Sequence, residues 1–209
     1  MRGDMGVFTV VGTALMFLAF AAMAAGIASR PDPEDVLYNH YVLVPTSAQS
    51  MSDAVSACVG YAITQALDHS SDPHHNISSV TQSSASSYFN TCVSTALNRI
   101  RSEMSAHGFL PSITPSLTFS CVGSGGDCSD VNVTGSIGYG YHLDVTLAGI
   151  RVQKDFSGTI PIDKNAAVTP TGKIWVGDPS TPSDDRNVYR IIVRDELLGR
   201  VEVNGIWPR

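Results

Sequence analysis

Three hydrophobic patterns follow one another along the chain, and each predicts a different element. From Gly6 to Ile27 the sequence GVFTVVGTALMFLAFAAMAAGI runs 22 residues without a charge. As a helix rising ~1.5 Å per residue it is about 33 Å long, enough to cross the apolar core of a bilayer. From Ser47 to His69 the period becomes that of an amphipathic helix. Met51, Val55, Cys58, Ala62 and Ala66 form a stripe that Val59, Ile63 and Leu67 widen, with Ser47 as the expected N-cap. The pattern recurs from Ser84 to His107 through Phe89, Cys92, Val93, Ala96, Ile100 and Met104, and Gly108 follows as a stop.

After Pro111 the period drops to two. Leu117, Phe119 and Cys121 alternate with Ser116, Thr118 and Ser120, and Ile137, Tyr139, Tyr141, Leu143, Val145 and Leu147 give the cleanest strand signal. Further strands are expected over Arg151–Ile162, Lys173–Val176, Val188–Arg194 and Gly199–Val203. The Ser/His/Asn-rich stretch Ser70–Ser83 and the stretch Asp178–Asp185 are expected loops. Helices followed by a run of strands with short connections point to an α+β fold with an antiparallel sheet. The expected organisation is a signal or transmembrane helix over 1–29, a linker or stalk over 30–46, and an α+β domain over 47–209. In that domain an amphipathic helix pair packs on the sheet.

The flanks of the apolar run set its orientation. Arg2 precedes it, while Arg30, Asp32, Glu34 and Asp35 follow, interrupted by Pro31 and Pro33. The positive-inside rule then leaves the N-terminus in the cytoplasm and the bulk of the chain outside. A cleaved secretory signal is the competing reading, because Ala22, Ala24, Ala25 and Ala28 offer small-residue cleavage sites. The uncharged run is longer than an ordinary signal core, which favours a retained single-pass anchor.

Composition agrees with export. Only 15% of residues are charged, and the net charge of -6 from 19 acidic and 13 basic groups argues against a nucleic-acid partner. The cysteines are Cys58, Cys92, Cys121 and Cys128. Three pairings are possible; Cys58 with Cys92 joins the two helices at their middles, and Cys121 with Cys128 closes the turn VGSGGD. Four free thiols or a zinc site are the alternatives, and zinc is disfavoured by the absence of a C-x-x-C pair. Asn76-Ile-Ser78 and Asn132-Val-Thr134 match the N-glycosylation pattern.

Candidate chemistry is sparse. The P-loop, zinc-protease, nucleophile-elbow and calcium-loop signatures are all missing from the sequence. Asp68, His69, Asp72, His74 and His75 are metal-ligand types, but a Ser-rich loop holds ligands loosely, so a solvated loop without metal is expected. The tract Gly123–Asp127 can present backbone amides to an anion, yet a disulfide-closed turn accounts for it. Tyr139 and Tyr141 are expected in the core rather than on a stacking surface. No catalytic residue and no cofactor is expected. In the apolar run, Ala21 with Ala25 and Ala22 with Gly26 have the small-xxx-small spacing that lets membrane helices approach closely.

The opening Met1-Arg2-Gly3-Asp4-Met5-Gly6, followed at once by the apolar helix, resembles the class III signal of archaeal type IV pilin-like proteins. The resemblance covers about thirty residues. It implies cleavage between Gly3 and Asp4 by a membrane peptidase, with the apolar helix kept as an anchor and as a surface for self-association or for other pilin-like subunits. Two features depart from the family pattern: the basic region is Arg2 alone, and prolines follow the helix promptly. The function expected is a membrane-anchored, extracellular structural or adhesive subunit of the cell envelope. A single-pass tethered binding domain with no filament role is the alternative.

Overall fold

A computed structural model describes residues 44–106, 110–147, 150–177 and 185–206. The expected transmembrane helix, the processing site at Gly3 and Asp4, and the small-residue face of Ala21, Ala22, Ala25 and Gly26 lie outside the described residues. Among the described residues no helix is long and apolar enough to cross a membrane.

Two helices lead the described fold. Helix α1 spans Val44–Asp68 and helix α2 spans Gln82–Ala106. The expected stripe of α1 is the buried one: Met51, Val55, Cys58, Val59, Ala62, Ile63, Ala66 and Leu67 are all inside. The helix starts earlier than Ser47, which lies within its first turns and is not the N-cap. Pro45 explains the early start, since its fixed φ suits a first turn and its missing N–H would have no helical partner there. Helix α2 also starts earlier than expected, because Thr81 is the cap: its Oγ1 accepts from the Ser84 backbone N–H at 3.3 Å.

Five strands follow: β1 (Leu110–Cys121), β2 (Asp130–Leu147), β3 (Ile150–Trp175), β4 (Asp185–Asp195) and β5 (Arg200–Ile206). They form one antiparallel sheet in sequence order, β1-β2-β3-β4-β5. The α+β class and the helix pair on an antiparallel sheet are therefore observed. One face of the sheet carries Ile113, Phe119, Val131, Val133, Ile137, Tyr141, Ile162, Ala166, Ile191 and Val193, which join the helix stripes in a single buried core. The opposite face of β1 is Ser112, Thr114, Ser116 and Thr118, all exposed. This alternation fixes the register, since a slip of one residue would exchange the two sets.

Strand β3 differs from expectation. Arg151–Ile162 and Lys173–Val176 were expected as separate strands, but Ile150–Trp175 is one strand with an irregularity between Pro170 and Gly172. Its first half pairs with β2 alone, and β4 joins only from Lys164 onward. The Asp163 carbonyl points to the β4 side, where it accepts from the Glu196 N–H at 3.0 Å. Pro161, two residues earlier, therefore turns its missing N–H toward the same side, at a position that β4 does not reach, so no ladder bond is lost.

Both tyrosines expected in the core contribute to packing. Tyr141 is buried and stacks on Phe156 with ring centroids 5.0 Å apart. Tyr139 is half-buried, and its ring lies over Gly158, where a Cβ would meet the ring hydroxyl at 2.4 Å. Gly158 is thus required by close approach rather than by its φ.

Phe89 of α2 is fully buried against Phe119 of β1, at 5.0 Å between centroids, and joins the two layers. Phe89→Ala should lower unfolding stability by about 3–5 kcal/mol in urea denaturation. Thr118→Ala on the exposed face should change it by no more than about 0.5 kcal/mol.

Candidate functional site

Three polar constellations stand out in the described domain. The first is buried between the layers. Lys164 of β3 and Asp195 of β4 are directly opposite each other in the register, 2% and 6% exposed. Lys164 Nζ pairs with Asp195 Oδ2 and donates to Ser52 Oγ of α1 at 2.9 Å. The second carboxylate oxygen, Oδ1, accepts from the backbone N–H groups of Leu197 and Leu198 at 3.1 and 3.0 Å, which fixes the turn into β5. Burial pushes the Asp195 carboxyl up, but the Lys164 ammonium and the two turn amides outweigh it and hold the group below the ordinary carboxylate range. Nζ is the donor in its bond with the Ser52 hydroxyl, an arrangement opposite to that of a general base for the serine.

The second constellation is the loop between the helices, where the expectation of a solvated segment is corrected. Asp72 organises it from within: Oδ1 accepts from the His74 N–H at 2.9 Å, and Oδ2 accepts from the Asn76 side chain at 2.7 Å and its N–H at 3.2 Å. The loop is also fastened to β4. Asn187 donates its backbone N–H and side-chain amide to the His74 carbonyl, and donates to Asn76 Oδ1 at 2.7 Å. Tyr189 Oη accepts from the Ile77 N–H at 2.9 Å. His75 is 5% exposed and sits at φ 51°, in the left-handed region that few non-glycine residues adopt. Docking to β4, which no local sequence pattern reveals, overrides the polar composition.

The metal-ligand types in this loop are not brought together. His69 Nδ1 lies 2.9 Å from its own helix's Gln65 carbonyl, and His74 Nδ1 lies 2.9 Å from the Asp185 backbone carbonyl. Among the described residues no group of three or more His, Cys, Asp or Glu is placed to hold a metal.

The third is the pair of disulfides, which have the expected connectivity. Cys58 joins Cys92 across the two helices with Cα atoms 5.6 Å apart, and Cys121 joins Cys128 at 4.6 Å. The tract Gly123–Asp127 is the turn that the second bridge closes. Gly125 and Gly126 take φ values of 77° and 82° there, and the Asp127 carboxylate caps the turn through the Ser129 N–H and hydroxyl.

The two glycosylation candidates differ in setting. Asn76 is half-buried, with its Nδ2 bonded to Asp72 and its Oδ1 to Asn187. Asn132 is half-buried in β2, opposite Ser120 and Asn165.

Two of the surface grooves of the described domain are bordered by its helices. One of about 260 Å³ lies between α2 and β1, with Phe89, Val93, Leu97 and Ile113 as its floor and Arg101 at its edge. Arg101 donates to the Ile113 carbonyl at 2.9 Å, which ties α2 to β1. The other, about 320 Å³, has Ala48, Pro161, Leu197 and Leu198 among its lining residues, together with Ser52 and Asp195 of the buried constellation. Its two leucines are each 51% exposed.

Sequence reasoning passed over Lys164 and Asp195, although a signal was present. Each occupies an inward position of its strand, Lys164 in phase with Ile162, Ala166 and Val168, and Asp195 in phase with Ile191 and Val193. Opposite charges at inward positions of neighbouring strands mark a buried pair.

Comparison of the chain with protein-family models, with curated proteins and with solved structures returned no match.

The Asp72 bonds make the loop sensitive to acid. The N–H of His74 and the side-chain amide and N–H of Asn76 outweigh burial and hold the Asp72 carboxyl below its usual value. A carboxylate whose pKa is depressed on folding stabilises the fold above its unfolded value, and that contribution is lost as pH falls through the folded value. Protection of the His74 and Asn76 amides from hydrogen exchange, relative to their intrinsic rates at each pH, should therefore be high near neutral pH and fall below the ordinary carboxylate range. Asp72→Asn should show low protection at both.

Proposed function

We propose that this chain is a membrane-anchored, pilin-like structural or adhesive subunit of the cell envelope, without enzymatic activity, whose α+β domain lies outside the cell. The observation that carries the reading is the uncharged run Gly6–Ile27 placed directly after Arg2-Gly3-Asp4. Its length suits a bilayer, and its flanks support an orientation with the remainder of the chain outside. Two disulfides in a domain of this size support the same compartment, because such bonds persist where the environment is oxidising.

The polar networks of the described domain support a structural role. Lys164, Asp195 and Ser52 satisfy one another between the layers, and Asp72, Asn76 and Asn187 fasten a loop to the sheet. Each of these side chains is committed to holding an element; Ser52 and Asp195 also line the groove beside Leu197 and Leu198, where Ser52 Oγ accepts from Lys164 Nζ. In this reading the small-residue face of Ala21, Ala22, Ala25 and Gly26 brings anchor helices together, so membrane and sister subunits are the partners. The second reading, a tethered binding domain, draws on the apolar groove beside Leu197 and Leu198.

Full-length protein in mild detergent should sediment as an assembly. The double substitution Ala21→Leu and Ala25→Leu should weaken association by at least about tenfold, about 1.4 kcal/mol. A wild-type chain that sediments as a monomer across the same concentrations would favour the tethered domain.

A further inference from the structure

The Lys164–Asp195 pair has features of a covalent cross-link site as well as of an ion pair. Its two residues are direct cross-strand partners, so their backbones are already held side by side by the β3–β4 ladder. Around them on the inward face stand Val133, opposite Lys164 in β2, with Ile162 and Ala166 along β3 and Val193 along β4, all buried. Apolar side chains thus shield the pair on the sheet side, while Ser52 and Asp195 also line the groove of Leu197 and Leu198. In such a layer an ion pair gives up the hydration of two charges, a cost that the mutual attraction only partly returns.

The carboxyl is also held as an acyl group under attack would need to be. Asp195 Oδ1 accepts two backbone N–H bonds, from Leu197 and Leu198, while the other oxygen, Oδ2, is the one that meets Lys164 Nζ. Two convergent amides on one oxygen are the arrangement that stabilises negative charge in a tetrahedral intermediate. The remaining hydrogen bond of Nζ is to Ser52 Oγ, a hydroxyl able to accept one proton and pass on another.

We propose that Lys164 and Asp195 condense to an intramolecular isopeptide bond joining β3 to β4. Nζ passes one proton to Oδ2, a transfer uphill from the resting ion pair, and the neutral amine adds to Cγ, placing negative charge on Oδ1 within reach of the two turn amides. A second proton leaves Nζ by way of the Ser52 hydroxyl and reaches Oδ2, which departs as water. The ammonium and carboxylate become one neutral amide and one water, with no oxidant or further reactant. The positive and negative charges both leave the buried layer, and holding the groups side by side replaces the activation that free reactants would require.

The cross-link is independent of the pilin-like reading, because it depends only on the described domain. It would clamp β4 to the long strand at the edge where the turn into β5 begins, a location suited to a subunit under tension.

The test is peptide mapping by mass spectrometry of the full-length protein after denaturation and reduction, conditions that an ion pair does not survive. The expected result is a branched species in which the peptide containing Lys164 and the peptide containing Asp195 remain joined and weigh one water less than their sum. Lys164→Arg, which keeps the positive charge but does not form this bond, should release the two peptides separately at full mass. Two unlinked peptides of full mass from the wild-type protein would overturn the proposal. So would a water deficit confined to the Asp195 peptide, which marks a cyclic imide, or a deficit that persists in Lys164→Arg.

Discussion

The described fold depends on burying one stripe of α1 on two sides at once. Met51, Val55, Val59, Ala62, Ile63 and Leu67 are all essentially inaccessible, a width that no single neighbouring helix covers. Helix α2 covers part of the stripe and the inner face of the sheet covers the rest, so neither layer is complete without α1. The remaining devices secure that arrangement. Cys58–Cys92 ties α1 to α2, Ser52 ties α1 through Lys164 to the centre of the sheet, and Arg101 ties α2 to β1. Lys164 and Asp195 place a polar contact inside this apolar layer, where it discriminates among packings that hydrophobic burial alone would accept.

Much of this was legible in the chain because periodicity reports burial directly. The α1 stripe, the alternation through Leu117, Phe119 and Cys121, and the spacing of the four cysteines each carry their own geometric consequence, and the structure follows them. What was not legible depended on partners distant in sequence. Strand β3 runs through Pro161 and Pro170, residues that argue for a break; only the staggered pairing with β2 and β4 shows why Pro161 is harmless and where the irregularity at Pro170 is absorbed. The loop of Asp72 to Asn76 has the composition of a solvated segment, and its contacts with Asn187 and Tyr189 bridge more than a hundred residues of sequence. Ser47 lost its role as a cap to the conformational preference of Pro45.

The domain and the N-terminal segment contribute different parts of the functional account. The domain is a disulfide-braced body whose polar side chains are spent on internal fastening, leaving an exposed face of serine and threonine on β1. In the proposed reading the apolar run supplies the location and a face by which copies meet, and Met1–Gly3 is the leader whose removal joins export to assembly. In this account the leader is the most informative part of the chain, because it separates a subunit handled by a dedicated peptidase from one that is only tethered.

The central claim is therefore tested most directly by the mass of the N-terminal peptide of the protein taken from its native membrane. The account predicts that the mature chain begins at Asp4 and keeps the whole of Gly6–Ile27. A chain that still begins at Met1, or one cut within Ala22–Ala28 so that the apolar run is lost, would contradict it.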